Sequence, residues 1–244
     1  MKVKSLFIIF VIGHCFAACH AQPSAGTTSK INDSLYARHK ASADGIGKFY
    51  MGREIAHVMG AAGSDWLERN ERQQEENTQL AIEKINLAPN SVVADIGAGT
   101  GYYSFRIAAK IPAGKVYAVE IQNELISYLH NKKTELKDSV VEIVKGTAFS
   151  PNLPDNSIDL AIMVDVYHEL EFPQEMLQSI RKALRPHGKI LLIEYRGEDP
   201  SVPIKALHKT TIAQLGRELK INGFQLQYKG DFLPIQHFLL YEKN

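Results

Sequence analysis

From residue 91 onward, short runs of β-branched residues alternate with longer stretches of helical spacing. The predicted strands cover residues 92–96, 116–119, 140–144, 158–164 and 190–194, and the predicted helices cover 102–110, 123–137 and 173–184. Strand–helix alternation of this kind implies right-handed crossovers, and hence a parallel sheet with helices on both faces. The sequence therefore predicts a doubly wound α/β domain.

Two further strand-like runs close the chain, at residues 224–229 and 236–241. They follow a predicted helix over 204–221, which ends at Asn222-Gly223, a favourable C-terminal cap. A hairpin after the five parallel strands makes the predicted sheet seven-stranded and mostly parallel. The hairpin also distinguishes this arrangement from a plain dinucleotide-binding fold.

The first of these strands runs directly into a glycine-rich loop. The loop reads Asp95-Ile96-Gly97-Ala98-Gly99-Thr100-Gly101. Glycines let the backbone turn tightly and approach a ligand without a Cβ, while the helix that follows offers unpaired N–H groups. Glu120 ends the second strand, where an acidic side chain can accept hydrogen bonds from both hydroxyls of a ribose. Loop and acid together predict a site for a nucleoside-containing cofactor.

Glycine spacing separates two candidate cofactors. The dinucleotide fingerprint needs a third glycine three positions after the second, and Tyr102 stands there, so the glycines keep the tighter spacing 97, 99 and 101. This pattern resembles the class I S-adenosylmethionine-dependent methyltransferases. The resemblance continues through Gly146-Thr147-Ala148, residues 159–165 and residues 184–188, and it covers about residues 90–194.

The resemblance implies a Rossmann-like methyltransferase fold with S-adenosylmethionine as the cofactor. Family members often have Asp at the position of Thr147, so the contact with the adenine amino group differs here. The residues that the resemblance assigns to cofactor binding are Asp95, Gly97, Ala98, Gly99, Gly101, Glu120, Thr147, Ala148 and Asp165.

The segment after the fourth strand carries the candidate catalytic residues. Ligands bind beyond the carboxyl ends of parallel strands, which places Asp165 and His168 beside the transferred methyl group. His168 is the candidate general base near neutral pH. Its alternative role is a structural one, in which the ring bonds the backbone and shapes the pocket. One further group consists of candidates for closing the site or holding an acidic substrate, or else belongs to two amphipathic helices: Tyr50, Arg53, Trp66, Arg69 and Arg72. A second group consists of candidates for lining the acceptor pocket, or else is solvated polar surface: Tyr195, Arg196, His208 and Lys209.

Composition excludes several other kinds of site. Both cysteines, Cys15 and Cys19, lie in the first 21 residues, so thiol catalysis and Cys-ligated metal are not expected in the folded domain. The histidines show no metal-ligand spacing along the chain, and no metal is predicted. A formal net charge of +1 gives no electrostatic argument for nucleic acid. The expected acceptor is a small molecule.

The pattern of the N-terminal residues predicts that the protein is exported from the cytosol. Residues 1–21 combine Lys2 and Lys4, a short apolar run and small residues, a secretory signal pattern. Cleavage before Cys19 would leave a lipid-anchored protein, and cleavage after Ala21 a periplasmic one. Residues 22–45 are predicted to be a flexible tether, 46–89 a helical lid, and 90–244 the methyltransferase domain.

The sequence leaves three functions open. The first is methyl transfer to a small molecule. The second is a non-catalytic module that binds the cofactor, a hypothesis motivated by export away from the cytosolic supply of S-adenosylmethionine. The third is an NAD(P)-binding oxidoreductase.

Overall fold

The computed structural model describes residues 35–244. The predicted signal peptide and residues 22–34 of the predicted tether therefore lie outside the described residues. Among the described residues, none of the helices combines the length and apolar character needed to cross a membrane.

An antiparallel three-stranded sheet opens the described chain. Its strands are β1 (Tyr36–Arg38), β2 (Gly45–Tyr50) and β3 (Arg53–Ala56), with β2 in the centre. The prediction of a tether to residue 45 and of helix from residue 46 is therefore wrong over these strands. Met51 and Gly52 both have positive φ, 49° and 89°, the conformation of a two-residue hairpin turn. The turn pairs β2 with β3. In the sequence alone, the residues of these two short strands resemble a helical pattern.

The predicted N-terminal helices follow this sheet as short pieces. A 3-10 turn at Ala61–Gly63 leads into α1 (Ser64–Leu67), α2 (Arg72–Glu76) and α3 (Thr78–Lys84). Asn77 adopts a left-handed conformation, with φ 53°. It thereby ends α2 and reverses the chain into α3.

The main sheet contains seven strands, as the sequence predicts. In spatial order they are β6 (Val141–Lys145), β5 (Lys115–Glu120), β4 (Val92–Ile96), β7 (Ile158–Val164), β8 (Leu184–Tyr195), β10 (Gln236–Lys243) and β9 (Phe224–Gly230). The first five are parallel, and β10 pairs antiparallel with both β8 and β9. The strand order reverses between β4 and β7, which opens a crevice at their carboxyl ends.

Four helices cover the two faces of this sheet. They are α4 (Tyr102–Ala108), α5 (Asn123–Leu136), α6 (Pro173–Ala183) and α7 (Ile212–Ile221). Successive residues of β4 pack on opposite faces of the sheet. Val93 lies in the core cluster that contains α3 and α4, and Ala94 lies in the core cluster that contains α6 and α7. Burial on both faces explains why the strands read as continuous apolar runs.

Two element boundaries differ from the prediction by six residues or more. Strand β8 begins at Leu184, six residues early, because Leu184 already pairs with Ile158 of β7; the register then shifts before Lys189 pairs with Leu160, and His187 between them has φ 61°. Helix α7 begins at Ile212 rather than 204, where the Thr211 hydroxyl accepts a hydrogen bond from the Gln214 N–H at 3.1 Å. Residues 206–208 form a separate 3-10 turn.

Candidate active site

A cavity of about 510 Å³ opens at the carboxyl ends of β4, β5 and β7. This is where a doubly wound sheet binds its ligands. It is bordered by seven of the residues singled out in the sequence: Gly97, Gly99, Glu120, Thr147, Ala148, Asp165 and His168.

The glycine-rich loop forms a close-fitting wall of the cavity. Gly97 and Gly99 have φ values of 72° and 56°, a region in which other residues are strained. A Cβ at Gly97 would lie 2.8 Å from both methyl groups of Val166, and one at Gly99 would lie 2.9 Å from Leu67 Cδ1. The loop therefore needs glycine both for its turn and for its close packing against Val166 and Leu67.

Glu120 is fixed at the edge of the cavity by the backbone. Its Oε2 accepts a hydrogen bond from Gly99 N at 2.9 Å, and its Oε1 accepts from Ile121 N and Gln122 N at 2.7 and 2.9 Å. The side chain is only 4% exposed. A carboxylate offers about four acceptor positions, so Glu120 keeps capacity to accept from a hydroxyl group. The residue fits the ribose-binding role implied by the sequence.

Three predicted cofactor residues pack toward helix α4 instead of bordering the cavity. Asp95 accepts a hydrogen bond from the Ser104 hydroxyl at 2.6 Å. Burial raises the pKa of Asp95 to about 6, against the opposing effect of the Ser104 hydrogen bond. Ala98 lies in the core cluster that contains α4, and Gly101 immediately precedes that helix. These three residues are not part of the cavity lining, and their contact with the cofactor stays a prediction.

Thr147 stands at the cavity edge, but its hydroxyl is engaged in its own turn. Its Oγ1 accepts hydrogen bonds from the backbone N–H groups of Phe149 and Ser150 at 3.2 and 3.0 Å. The neighbouring Ala148 also borders the cavity. The Thr147 hydroxyl, at the position where family members often have Asp, is thus hydrogen-bonded to the backbone of its own turn.

Asp165 directly follows β7 and has a left-handed backbone conformation. Its φ is 54°, a left-handed value that is costly outside glycine and is often found at functional sites. Gln236 Nε2 donates to both carboxylate oxygens, at 3.0 and 2.8 Å. Burial, and then the nearby Glu76 and Glu194, hold the pKa of Asp165 well above its usual range.

His168 is anchored by a buried carboxylate. Its Nδ1 lies 2.6 Å from Glu194 Oε2, and Glu194 Oε1 accepts from the backbone N–H groups of Val166 and Tyr167 at 3.1 and 2.8 Å. Burial lowers the pKa of His168, but the charge of Glu194 and hydrogen bonds with Glu169 and Glu194 outweigh it and raise the pKa to about 10. An imidazole that is already protonated at neutral pH is a poor general base. The arrangement therefore does not support the base role predicted for His168.

Two more polar side chains meet His168 at the cavity. His208 Nδ1 lies 3.1 Å from His168 Nε2, and Glu169 Oε1 lies 3.7 Å from His168 Nε2 and 3.4 Å from His208 Nδ1. From the sequence, His208 is only one of several candidate lining residues. Neither this grouping nor the role of Glu194 is predictable there, because forty residues separate the two histidines.

A segment before the main sheet covers the cavity. It contributes Met59, Trp66 and Leu67 to the lining. Gln122 holds it from the cofactor side: its Oε1 accepts from Ala61 N at 2.9 Å and its Nε2 donates to Met59 O at 3.0 Å. From the other side, Met59 N lies 3.2 Å from both carboxylate oxygens of Glu169. Residues of the predicted lid thus line the cavity, and its role in closing the site stays a prediction.

Most of the cations considered for substrate binding are engaged elsewhere. Arg53 pairs with Glu218, and both Arg69 and Arg72 pair with Glu76.

The two cations near the end of β8 bind backbone carbonyl groups. Arg196 donates to the carbonyls of Leu233 and Pro234, and Lys209 to those of Asp199 and Val202. Of the other candidates, Tyr195, Trp66 and His208 border the cavity, while Tyr50 is buried and its hydroxyl accepts a hydrogen bond from Asn222.

Comparison with known proteins gives a consistent picture. Residues 94–192 match the protein family described as "Methyltransferase domain". Phosphoethanolamine N-methyltransferase 1 of Arabidopsis thaliana is 27% identical over 151 residues, which cover 62% of this chain and 28% of that protein. An uncharacterized methyltransferase-like protein of Schizosaccharomyces pombe is 30% identical over 126 residues, covering 52% of this chain and 46% of that protein. The chain thus spans less than half of the length of either relative.

Among solved structures, the fold matches a SAM-dependent methyltransferase from Aquifex aeolicus. The TM-score is 0.72 at 21% sequence identity, and the match covers 77% of this chain and all of that one. At this identity the likeness establishes the fold.

Proposed function

We propose that this chain, whose residues 94–192 match a methyltransferase domain, is a class I S-adenosylmethionine-dependent methyltransferase that transfers the methyl group of that cofactor to a small-molecule acceptor. The observation that carries the proposal is the continuity of the cavity. One continuous cavity extends from the Gly97 loop and Glu120 to Asp165 and His168. Cofactor and acceptor can therefore lie side by side.

The residues at the cofactor end fit S-adenosylmethionine. Gly97 and Gly99 both border the cavity and have positive φ, so the glycine loop can bring its backbone close to the bound cofactor. The fixed carboxylate of Glu120 is placed to accept hydrogen bonds from the ribose hydroxyls. When bound, the cofactor supplies an activated methyl group. The chain supplies the orientation of the two reactants, which is the main requirement of an in-line transfer.

The covering segment supports transfer in a space that contains little water. Met59, Trp66 and Leu67 place apolar side chains over the cavity. Exclusion of water strengthens the electrostatic interactions inside and prevents side reactions. Because the covering segment is held at both Gln122 and Glu169, we infer that it closes over both reactants.

The dimensions of the cavity favour a small acceptor. Its volume of about 510 Å³ is in the range typical of small-molecule sites, about 300–1,000 Å³. A part of this volume has to hold the cofactor. The name of the Arabidopsis relative, a phosphoethanolamine N-methyltransferase, gives an example of a small acceptor within the same family.

Calorimetry and a turnover assay test this function together. The full chain is titrated with S-adenosylmethionine, S-adenosylhomocysteine and NAD, and then incubated with a panel of small acceptors. We expect micromolar binding of the first two ligands, no binding of NAD, and release of S-adenosylhomocysteine with at least one acceptor. Cofactor binding without turnover over a broad panel would favour the non-catalytic alternative. Binding of NAD alone would exclude the proposed function.

We also propose that the protein is exported, on the basis of the signal pattern in residues 1–21. The acceptor would then be a molecule found outside the cytosol, and the cofactor would have to be supplied there. Cell fractionation with detection of the full-length and shortened forms tests this proposal. A full-length soluble cytosolic protein would contradict it.

A further inference from the structure

His168, Glu169 and His208 converge at the acceptor end of the cavity. Each offers one ligand atom, and these atoms all lie within 4.8 Å of one another. We propose that these three side chains bind a divalent metal ion of the zinc class, through His168 Nε2, His208 Nδ1 and the Glu169 carboxylate.

The distances within this metal cluster match the requirements of one ion. Zinc binds nitrogen and oxygen at about 2.0–2.1 Å with tetrahedral geometry, so neighbouring ligand atoms lie about 3.3 Å apart. The three separations in the structure are 3.1, 3.4 and 3.7 Å. An ion therefore needs shifts of a few tenths of an ångström in these side chains, together with loss of the proton from His168 Nε2, which the ion displaces on binding.

The ligands are also oriented by groups behind them. Glu194 is fully buried and binds Nδ1 of His168 at 2.6 Å, which leaves Nε2 directed into the cluster. A carboxylate behind a metal-binding imidazole is a common arrangement that fixes the ring and increases its basicity. Met59 N holds the Glu169 carboxylate in a similar way. Glu194 is therefore a positioning residue in this proposal.

The ligand set selects the class of ion. Two imidazole nitrogens and one carboxylate suit Zn²⁺, Co²⁺ or Fe²⁺ better than Mg²⁺ or Ca²⁺, which prefer oxygen ligands. Three protein ligands are also typical of catalytic rather than structural zinc sites, because they leave one position open.

The open position would face the cavity, since all three ligands border it. If the proposed function holds, the acceptor is then a small molecule with an oxygen or nitrogen donor that can bind the ion. An ion lowers the pKa of a bound donor atom. This would remove the need for His168 to act as a base.

The alternative explanation is a hydrogen-bonded group without metal. In that case a proton on His168 Nε2 is shared with His208 Nδ1 and Glu169. Such a group needs no ion and would bind Zn²⁺ weakly or not at all. Metal titration therefore distinguishes the two explanations directly.

The full chain is first stripped of metal and then titrated with Zn²⁺. After dialysis, the bound zinc is measured by elemental analysis. His208→Ala removes a ligand, and His130→Ala, which replaces an exposed histidine on α5, is the matched control. We expect His208→Ala to bind one zinc ion fewer per chain than the native protein and His130→Ala. Residues 1–34 are identical in all three proteins, so zinc held by Cys15 or Cys19 cancels in the comparison. Equal zinc content in all three would overturn the proposal.

A second variant tests the site without removal of a ligand. Glu194→Gln should weaken zinc binding by about 10- to 100-fold, as expected when the group behind a metal-bound imidazole is changed. In the native protein, Co²⁺ should give the absorption spectrum of a tetrahedral site, and this spectrum should be lost in His208→Ala. Circular dichroism confirms that the variants are folded, and an unfolded His208→Ala is replaced by Glu169→Gln. Unchanged zinc affinity in a folded Glu194→Gln would also contradict the proposed geometry.

S-adenosylhomocysteine titration of the same samples separates this inference from the proposed function. Binding of S-adenosylhomocysteine without site-specific zinc would reject the metal site alone. Zinc binding without S-adenosylhomocysteine would support the metal site and reject the proposed cofactor function.

Discussion

The guanidinium of Arg53 is paired in two places with the carboxylate of Glu218. Nε lies 3.0 Å from Oε1, and Nη2 lies 2.9 Å from Oε2. The third nitrogen, Nη1, donates to the carbonyl oxygen of His168 at 3.1 Å. The pair thereby connects the N-terminal sheet and helix α7 to the turn that presents His168 to the cavity.

Arg53→Ala should therefore lower the free energy of unfolding by about 3–5 kcal/mol, because it leaves a buried carboxylate without its partner. Arg217→Ala is the control, because Arg217 is an exposed residue on α7, the helix that carries Glu218. It should change the free energy of unfolding by less than about 0.5 kcal/mol. Urea denaturation measures both values. Equal free energies of unfolding for the two variants would mean that the Arg53–Glu218 pair contributes little to stability.

Gly97→Ala should destabilise the protein by about 1–3 kcal/mol, because the new Cβ has to occupy a strained backbone conformation and contacts Val166. It should also weaken binding of S-adenosylhomocysteine. Gly216→Ala is the matched control: nothing lies within 4 Å of its Cβ position, and alanine is favoured over glycine in a helix by about 1 kcal/mol. Thermal melting and calorimetry measure the two effects. The prediction fails if Gly97→Ala binds the ligand as the native protein does.

Glu120→Ala should weaken S-adenosylmethionine binding by about 1–3 kcal/mol, the cost of lost hydrogen bonds to a buried polar partner. Glu124→Ala, an exposed position on α5, should leave the affinity unchanged. Isothermal titration calorimetry compares the variants at one pH and salt concentration. Native affinity in Glu120→Ala would remove this residue from the cofactor site.

Asp95 gives a prediction about pH. Burial raises its pKa from 3.8 to about 6 in the folded protein. The unfolded chain therefore loses this proton first as the pH rises, and the folded state loses stability between about pH 4 and 6. The difference between the two pKa values corresponds to about 3 kcal/mol at pH 7.

Asp95→Asn carries no titrating group at this position, so its stability relative to the native protein should increase from pH 4 to pH 6 and then stay constant. Urea denaturation at several pH values measures this difference. Asp155→Asn, in an exposed loop, should show no comparable change. A difference between Asp95→Asn and the native protein that is independent of pH would contradict the raised pKa.

The sequence predicts the main sheet well because the pattern there is local. Strand β4 has the predicted bounds, since a run of buried apolar residues followed by Gly97 admits few other conformations. The N-terminal hairpin was not predicted. Its formation depends on the positive φ of Met51 and Gly52, and only the second of these residues signals such a conformation in a sequence.

The candidate site could be predicted only in part, for a different reason. The glycine loop and Glu120 follow from their position at strand ends. The meeting of His168 with His208 depends instead on how the end of β8 and the 3-10 turn at 206–208 fold back. Such contacts arise from tertiary packing and leave no periodic signal in the chain. The inward orientation of Asp95 likewise depends on its bond to Ser104 in the next helix.

Met59 is held through both of its peptide groups, with N–H toward Glu169 and C=O toward Gln122. These two partners belong to opposite ends of the cavity. A ligand that changes the position of either side chain therefore changes the free energy of the same backbone segment. Such linkage is reciprocal: if occupancy of one end alters affinity at the other, the reverse effect has the same magnitude.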